Sequence, residues 1–291
     1  MVRWIMITDL HFGWNLPRFE DNDELGAELI KQAALEDPAF VVNAGDCISG
    51  GVANGRAEER NVKKYWSLYH RAMRPLTDIC PVITVMGNHD QTGDAATSEV
   101  FCRETGRDGK PPYFSKTING IHIVAIDTLP RRHHGGFPDR TRQAGWLRRD
   151  LKRSRNAKAT IVCGHYPIFV QPILYDIADS SLFYNETTRE EGVLLPMLMD
   201  GAVDLYLCGH NHIYQRLRYR RLTQIMGGGR SNTYDGLIQH PPCKYMKVFD
   251  RRQSYVRFTV TDKSIRGEAV ALGGDIIDTW TQRLNKRSGG S

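Results

Sequence analysis

The chain has 291 residues, 41% hydrophobic and 25% charged, with no long tract of biased composition, so extended disorder is excluded. Apolar runs such as Ala39 to Ala44 and Val203 to Cys208 fall far short of the roughly 20 residues that span a bilayer, which excludes an integral membrane helix. The net charge of +6, carried mostly by arginine, suits acidic or phosphate-bearing partners without requiring them.

The apolar and polar pattern predicts alternating strands and helices over the first two thirds of the chain. In order these are a strand over Trp4 to Thr8, a helix over Asp21 to Glu36 and a buried strand over Phe40 to Asn43. A helix over Arg56 to Met73, stopped by Pro75, precedes a strand over Val82 to Met86. Asn119-Gly120 between Tyr113 to Lys116 and Ile121 to Ile126 is a hairpin signal, because a two-residue turn with both φ angles positive favours that pair. A helix over Thr141 to Ser154 should bury Trp146, Leu147 and Leu151 and leave Arg148, Arg149, Lys152 and Arg153 in water. Ala159 to Cys163, a helix near Arg189 to Met199 and Val203 to Cys208 complete the α/β part. Beyond Ile213 short alternating strands take over, around Tyr214 to Tyr219, Gln224 to Met226, Tyr245 to Phe249, Tyr255 to Thr261 and Arg266 to Ala271.

No low-complexity linker or internal repeat divides the two regions. The expected organisation is one α/β domain over 1–287, two packed sheets with helices outside, followed by a tail or cloning remnant at 288–291. The N-terminus runs straight into a strand without a basic stretch and apolar leader, so the expected location is the cytoplasm unless the chain is a trimmed secreted form. Cysteines at 47, 80, 102, 163, 208 and 243 show no regular framework and are expected to be reduced packing residues, Cys163 and Cys208 included.

Five apolar strands each run into ligand-type residues: Asp9-Leu10-His11, Gly45-Asp46, Gly87-Asn88-His89-Asp90, Gly164-His165 and Gly209-His210-Asn211-His212. The carboxyl ends of strands in an open α/β sheet converge on one crevice, so these residues can meet there. In extended chain, i and i+2 face the same side, which predicts Asp9 with His11 and His210 with His212 as two-ligand prongs. The glycines before Asp46, Asn88, His165 and His210 are expected to permit tight turns. Two carboxylates, one carboxamide and four imidazoles suit iron, manganese or zinc rather than calcium. Seven ligands exceed one tetrahedral ion and suit two ions about 4 Å apart sharing a carboxylate.

The ordered series DLH, NAGD, GNHD, GHYP and GHNH, spanning Arg3 to Arg216, resembles the calcineurin-like metallophosphoesterase superfamily. PPYFSKTINGIHIVAID, QAGWLRRDL, CGHYPIF, CGHNHIYQRL and a later GGGR are similar to its purple acid phosphatase branch. The resemblance implies a four-layer α/β/β/α sandwich of two mixed sheets flanked by helices. It implies that Asp9, His11, Asp46 and His212 hold one metal and that Asp46, Asn88, His165 and His210 hold the other, with Asp46 as the bridge. His89 would protonate the leaving oxygen, with Asp90 beside it in the catalytic set, while a metal-bound hydroxide attacks phosphorus. Where the purple branch has a tyrosine ligand, this chain has Ser49, and His11 can replace the lost ligand, giving the DxH site of phosphodiesterases and protein phosphatases.

The implied activity is hydrolysis of phosphomonoesters with release of inorganic phosphate; a phosphodiesterase, with nucleic acid only as substrate, uses the same ligands. A metal-binding scaffold without catalysis is the reading from another class, and His89 with seven ligands argues against it. Arg131, Arg132, His133 and His134 form a candidate substrate-binding loop, with a solvated loop as the alternative. Phe12, Trp14 and Tyr166 are candidate pocket walls, though packing is the more common role of such aromatics. The arginines of 148–155 and 216–221 are expected on solvated faces rather than on nucleic acid.

Overall fold

The computed structural model describes residues 1–13, 23–50, 59–91, 98–129, 137, 139–169, 192–229 and 244–285. In chain order these form β1 (Val2–Ile7), α1 (Asp23–Ala34), β2 (Val41–Asn43), α2 (Glu59–Thr77) and β3 (Val82–Thr84). Then come α3 (Glu99–Glu104), β4 (Phe114–Ile118), β5 (Ile121–Ala125), α4 (Arg142–Arg153), β6 (Ala159–Cys163), α5 (Leu194–Asp200) and β7 (Leu205–Cys208). The chain closes with β8 (Tyr214–Tyr219), β9 (Leu222–Met226), β10 (Met246–Asp250), β11 (Ser254–Val260), β12 (Ser264–Ala271) and β13 (Ile276–Arg283).

The strands make two mixed sheets, ordered β13-β12-β11-β1-β2-β3 and β10-β8-β9-β7-β6-β5-β4. β1, β2 and β3 pair in parallel, as do β5, β6, β7 and β9, while β4, β8 and the remaining strands pair antiparallel. The strand period of two sorts the apolar residues into layers. Trp4 and Met6 of β1 join Phe40, Phe258, Ile121, Ile161, Leu205 and Ile225 in the core between the sheets. Ile5 and Ile7 face the other way, onto Leu29, Ile30, Trp66 and Tyr69 of α1 and α2. On the far side, Val162, Tyr206 and Leu217 meet Leu147 and Leu151 of α4 and Leu194, Leu195 and Leu198 of α5. The order of layers is therefore helix, sheet, sheet, helix.

Local chemistry explains most boundaries. Asn119 (φ 49°) and Gly120 (φ 80°) make the expected turn, with Ile118 opposite Ile121. Thr141 caps α4 by accepting from the Ala144 N–H at 3.1 Å. α4 buries Leu147 and Leu151 as expected, but its third buried residue is Ala144, and Trp146 is half-buried against Tyr113.

Four expectations need correction. α2 does not stop before Pro75 but continues to Thr77. Pro75 removes one hydrogen bond near the helix end, and full burial of Leu76, worth about 1.5–3 kcal/mol, offsets that loss. α3 and β13 were not expected. α3 is too short to show a helical period, and β13 turns Asp278 and Gln282 inward on either side of Trp280, so it lacks apolar alternation. Lastly, Arg216 and Arg218 do not lie on a solvated face. Arg216 Nε donates to Asp278 at 2.6 Å and Arg218 Nη1 to Gln282 at 2.5 Å, which ties β8 to β13 of the opposite sheet.

Cys47, Cys80, Cys102, Cys163 and Cys208 are buried free thiols, and burial pushes Cys47, Cys163 and Cys208 well above the ordinary thiol range. Buried thiols of this kind pack as small hydrophobes. Among the described residues no helix is long and apolar enough to cross a membrane.

Candidate metal centre

The candidate ligands lie just beyond strand ends: Asp9 and His11 after β1, Asp46 after β2, Asn88 after β3, His165 after β6, and His210 and His212 after β7. The chains leaving β1 and β2 remain zipped together by Asp9 N–H to Gly45 C=O (2.9 Å), His11 N–H to Asp46 C=O (3.0 Å) and Phe12 N–H to Cys47 C=O (3.1 Å). The expected geometry of the prongs is wrong in its backbone. Asp9 (φ 51°), His11 (45°), Asp46 (53°), His210 (81°) and His212 (54°) are left-handed rather than extended. Such a conformation costs about 1–2 kcal/mol per non-glycine residue, so the surrounding fold holds these five side chains against local preference.

Asp9 and His11 do come together as a pair, but His210 and His212 do not. His212 joins the Asp9 and His11 side, whereas His210 joins Asn88 and His165. Donor atoms of Asp9, His11, Asp46 and His212, all buried, lie within 4.8 Å of one another. Nε2 of His11 is 2.8 Å from Nε2 of His212 and 3.5 Å from Oδ2 of Asp46, and Nε2 of His212 is 3.6 Å from Oδ1 of Asp9. On the other side, Oδ1 of Asn88 is 3.0 Å from both Nε2 of His165 and Nδ1 of His210. Oδ2 of Asp46 is 3.3 Å from Nε2 of His165, so one carboxylate oxygen faces both halves.

The glycines serve close approach more than turning. Gly45 has φ +101° and a Cβ there would lie 2.7 Å from Nδ1 of His165. Gly209 has no such φ, but a Cβ would lie 2.1 Å from Oγ1 of Thr8 and 2.5 Å from Oδ2 of Asp9.

Hydrogen bonds behind the donors aim them. Thr8 Oγ1 donates to Oδ2 of Asp9 at 2.7 Å, and the His210 N–H donates to Oδ1 of Asp9 at 2.9 Å. His165 Nδ1 meets the Ala44 carbonyl at 2.9 Å, which directs Nε2 to Asp46 and Asn88. Asp90, expected in the catalytic set, has a supporting place. Its Oδ1 accepts from Cys47 N–H (2.9 Å) and Ile48 N–H (3.2 Å), and its Oδ2 from Gly87 N–H (2.8 Å), joining the loops after β2 and β3. Sequence reasoning missed Thr8; its only signal was a hydroxyl residue adjacent to a ligand carboxylate.

Burial and mutual charge set the protonation of these donors. Burial works against ionised Asp46, yet His165, His89 and His11 hold it well below the usual carboxylate range. Burial lifts Asp9 to about 6 against the pull of His165. Burial also pushes His212 down to about 3 and lowers His89. At His165 burial disfavours charge, but Asp46, Asp9 and the Ala44 carbonyl prevail and raise it to about 9. Crowded carboxylate oxygens, an amide oxygen and imidazole nitrogens, with no thiolate among the described donors, are the donor set of a borderline metal.

Of the candidate pocket walls, Phe12 is buried against Tyr69 in the outer core. Tyr166 is buried with its ring 4.1 Å from that of His210. Trp14 and the loop residues Arg131, Arg132, His133 and His134 lie outside the described residues.

Comparison with known proteins gives a consistent picture. The family described as calcineurin-like phosphoesterase matches residues 2–214, well over half of the chain. Purple acid phosphatase 4 of Arabidopsis thaliana is 26% identical over 219 residues, 69% of this chain and 62% of that protein. Tartrate-resistant acid phosphatase type 5 of Oryctolagus cuniculus is 26% identical over 179 residues, 55% of this chain and 52% of that protein. The chain thus spans less than two thirds of the length of these relatives. A purple acid phosphatase from yellow lupin (Lupinus luteus) seeds shares the fold at a TM-score of 0.72 and 17% identity, over 98% of this chain and 54% of that one.

Proposed function

The chain belongs to the calcineurin-like phosphoesterase family, and from that premise we propose that it is a binuclear metal-dependent phosphatase that hydrolyses phosphomonoesters. The observation that carries this reading is Oδ2 of Asp46, which faces His11 at 3.5 Å on one side and His165 at 3.3 Å on the other. In this reading Asp9, His11, Asp46 and His212 hold one ion, and Asp46, Asn88, His165 and His210 hold the second. The donor set suits iron, manganese or zinc. Two such ions, when bound, polarise the phosphoryl oxygens and make a water acidic enough to attack phosphorus.

The chain's own residues do the rest. His89 Nδ1 lies 3.2 Å from the Gly50 carbonyl, which makes Nδ1 the donor to that oxygen and leaves Nε2 as the nitrogen that, with the ring doubly protonated as imidazolium, would pass a proton to the leaving oxygen. Its N–H holds Oδ1 of Asp46, so the proton donor and the bridging carboxylate are positioned by one turn over Asn88–Asp90. Asp90 keeps that turn against the loop after Asp46. The acid phosphatase names of the relatives support monoesters. His11 beside Asp9 favours the second reading, a phosphodiesterase acting through the same ligands.

The test is turnover of nitrophenyl phosphate and of bis(nitrophenyl) phosphate after reconstitution with manganese, zinc and iron. A higher kcat/KM for the monoester supports the proposal, and a higher kcat/KM for the diester replaces it with the second reading. Two bound ions without hydrolysis of either ester make the chain a metal-binding scaffold.

A further inference from the structure

Ser49 follows Asp46 by three positions and its hydroxyl touches His11 twice. Oγ donates to the His11 carbonyl at 3.1 Å and lies 3.3 Å from Nδ1 of the same residue. Ser49 is buried, and its backbone is tied to the same segment by Ser49 N–H to Phe12 C=O at 3.0 Å. A serine hydroxyl has one proton and two lone pairs. With the proton on the His11 carbonyl, only a lone pair is left for Nδ1, and that contact is favourable when Nδ1 carries the ring proton. Nε2 is then the bare nitrogen of the neutral imidazole. It is Nε2 that lies 2.8 Å from Nε2 of His212 and 3.5 Å from Oδ2 of Asp46.

We propose that Ser49 is a positioning residue that presents His11 through Nε2 and thereby sets the affinity of the Asp9, His11, Asp46 and His212 half of the site for its ion. This rests on the metal reading above. His165 obtains the same orientation from the Ala44 carbonyl, a backbone group that no change of side chain removes. At His11 the group against Nδ1 is a side-chain hydroxyl, which a substitution can remove. Loss of a partner of this kind weakens metal binding by about 10–100-fold. The left-handed backbone of His11 (φ 45°) adds to the dependence, because a hydroxyl bonded to both its carbonyl and its ring resists rotation of either.

The test is titration of the metal-free chain with Mn²⁺ and Zn²⁺ against a chromophoric chelator, in wild type, Ser49→Ala and Ser49→Thr. It is combined with the ¹⁵N shifts of the histidine side chains in metal-free protein. The expected result is two ions bound by wild type, a loss of about 10–100-fold for one ion alone in Ser49→Ala, and recovery in Ser49→Thr. His11 should carry its proton on Nδ1 in wild type and as a mixture of both tautomers in Ser49→Ala. A purely structural role would lower thermal stability while weakening both ions alike, which overturns the proposal. So does a bare Nδ1 in wild type, a result that needs no variant to fold. Equal affinity for two ions in wild type and Ser49→Ala overturns the role of Ser49 alone, whereas no ion bound by wild type overturns the metal reading with it.

Discussion

The backbone N–H of His89 donates to Oδ1 of Asp46 at 2.8 Å. That bond leaves Oδ2 of Asp46 as the oxygen between His11 and His165. Asp46→Asn puts a neutral amide where two cations need one negative charge, while keeping the shape and an acceptor for His89. The variant is expected to retain its fold and to lose one ion outright. The other ion should weaken by more than the roughly 10–100-fold that follows loss of an outer partner. Elemental analysis after dialysis checks this; two ions retained at full occupancy would remove Asp46 from the bridging position.

In the proposed reading the His89 ring serves the chemistry while its backbone N–H holds Asp46, and only the ring is lost on truncation. His89→Ala should therefore keep both ions while turnover falls by about 10²–10⁴-fold, the usual worth of a general acid. The loss should shrink for nitrophenyl esters and grow for alkyl esters, whose leaving oxygen needs the proton more. A uniform loss across a leaving-group series would make the ring a positioning group only.

Gly209 is held by its neighbours rather than by its own φ. In Gly209→Ala the new methyl would meet Thr8 and Asp9 at 2.1 and 2.5 Å, so both must shift. Overpacking of this kind costs about 1–3 kcal/mol of stability, measurable by urea unfolding, and displacement of Asp9 should weaken metal binding in the same variant. An unchanged midpoint with unchanged metal affinity would contradict this account of the loop after β7.

Asp127 ends the β5 segment, where its N–H and C=O pair with the Gln143 side chain at 2.7 and 2.8 Å and its Oδ1 accepts from the Leu129 N–H. Burial lifts its carboxyl from 3.8 to about 6. The folded chain then holds this proton more tightly than the unfolded chain, so stability falls as pH rises from about 4 to 6 and stays lower above. Asp127→Asn removes the charge and keeps the acceptor. Its melting temperature should exceed that of wild type at pH 7.5, and the two should converge near pH 4. A gap independent of pH would place the effect elsewhere.

The layers and the cluster of strand-end ligands were legible because both follow from short-range pattern. An apolar strand that runs into ligand-type residues is visible in sequence; five such segments, four of them through a glycine, share the carboxyl ends of two sheets. The division of labour was not legible from strand periodicity, since left-handed backbone at His210 and His212 turns two residues two apart toward opposite halves. The family resemblance implies a division between two ions, which the extended-chain argument does not give. β13 escaped because Asp278 and Gln282 are buried by partners on β8 and β9 far away in sequence, among them Arg216 and Thr223, and not by any local pattern. The end of α2 escaped because Pro75 is a local signal, while burial of Leu76 is a tertiary one.

The most direct test of a two-ion phosphatase site is the number of ions per chain at which nitrophenyl phosphate turnover reaches its plateau during titration of the metal-free protein with manganese or zinc. The account predicts a plateau at two equivalents, with Asp46→Asn inactive throughout. A plateau at one equivalent, or turnover unaffected by the Asp46→Asn change, would contradict it.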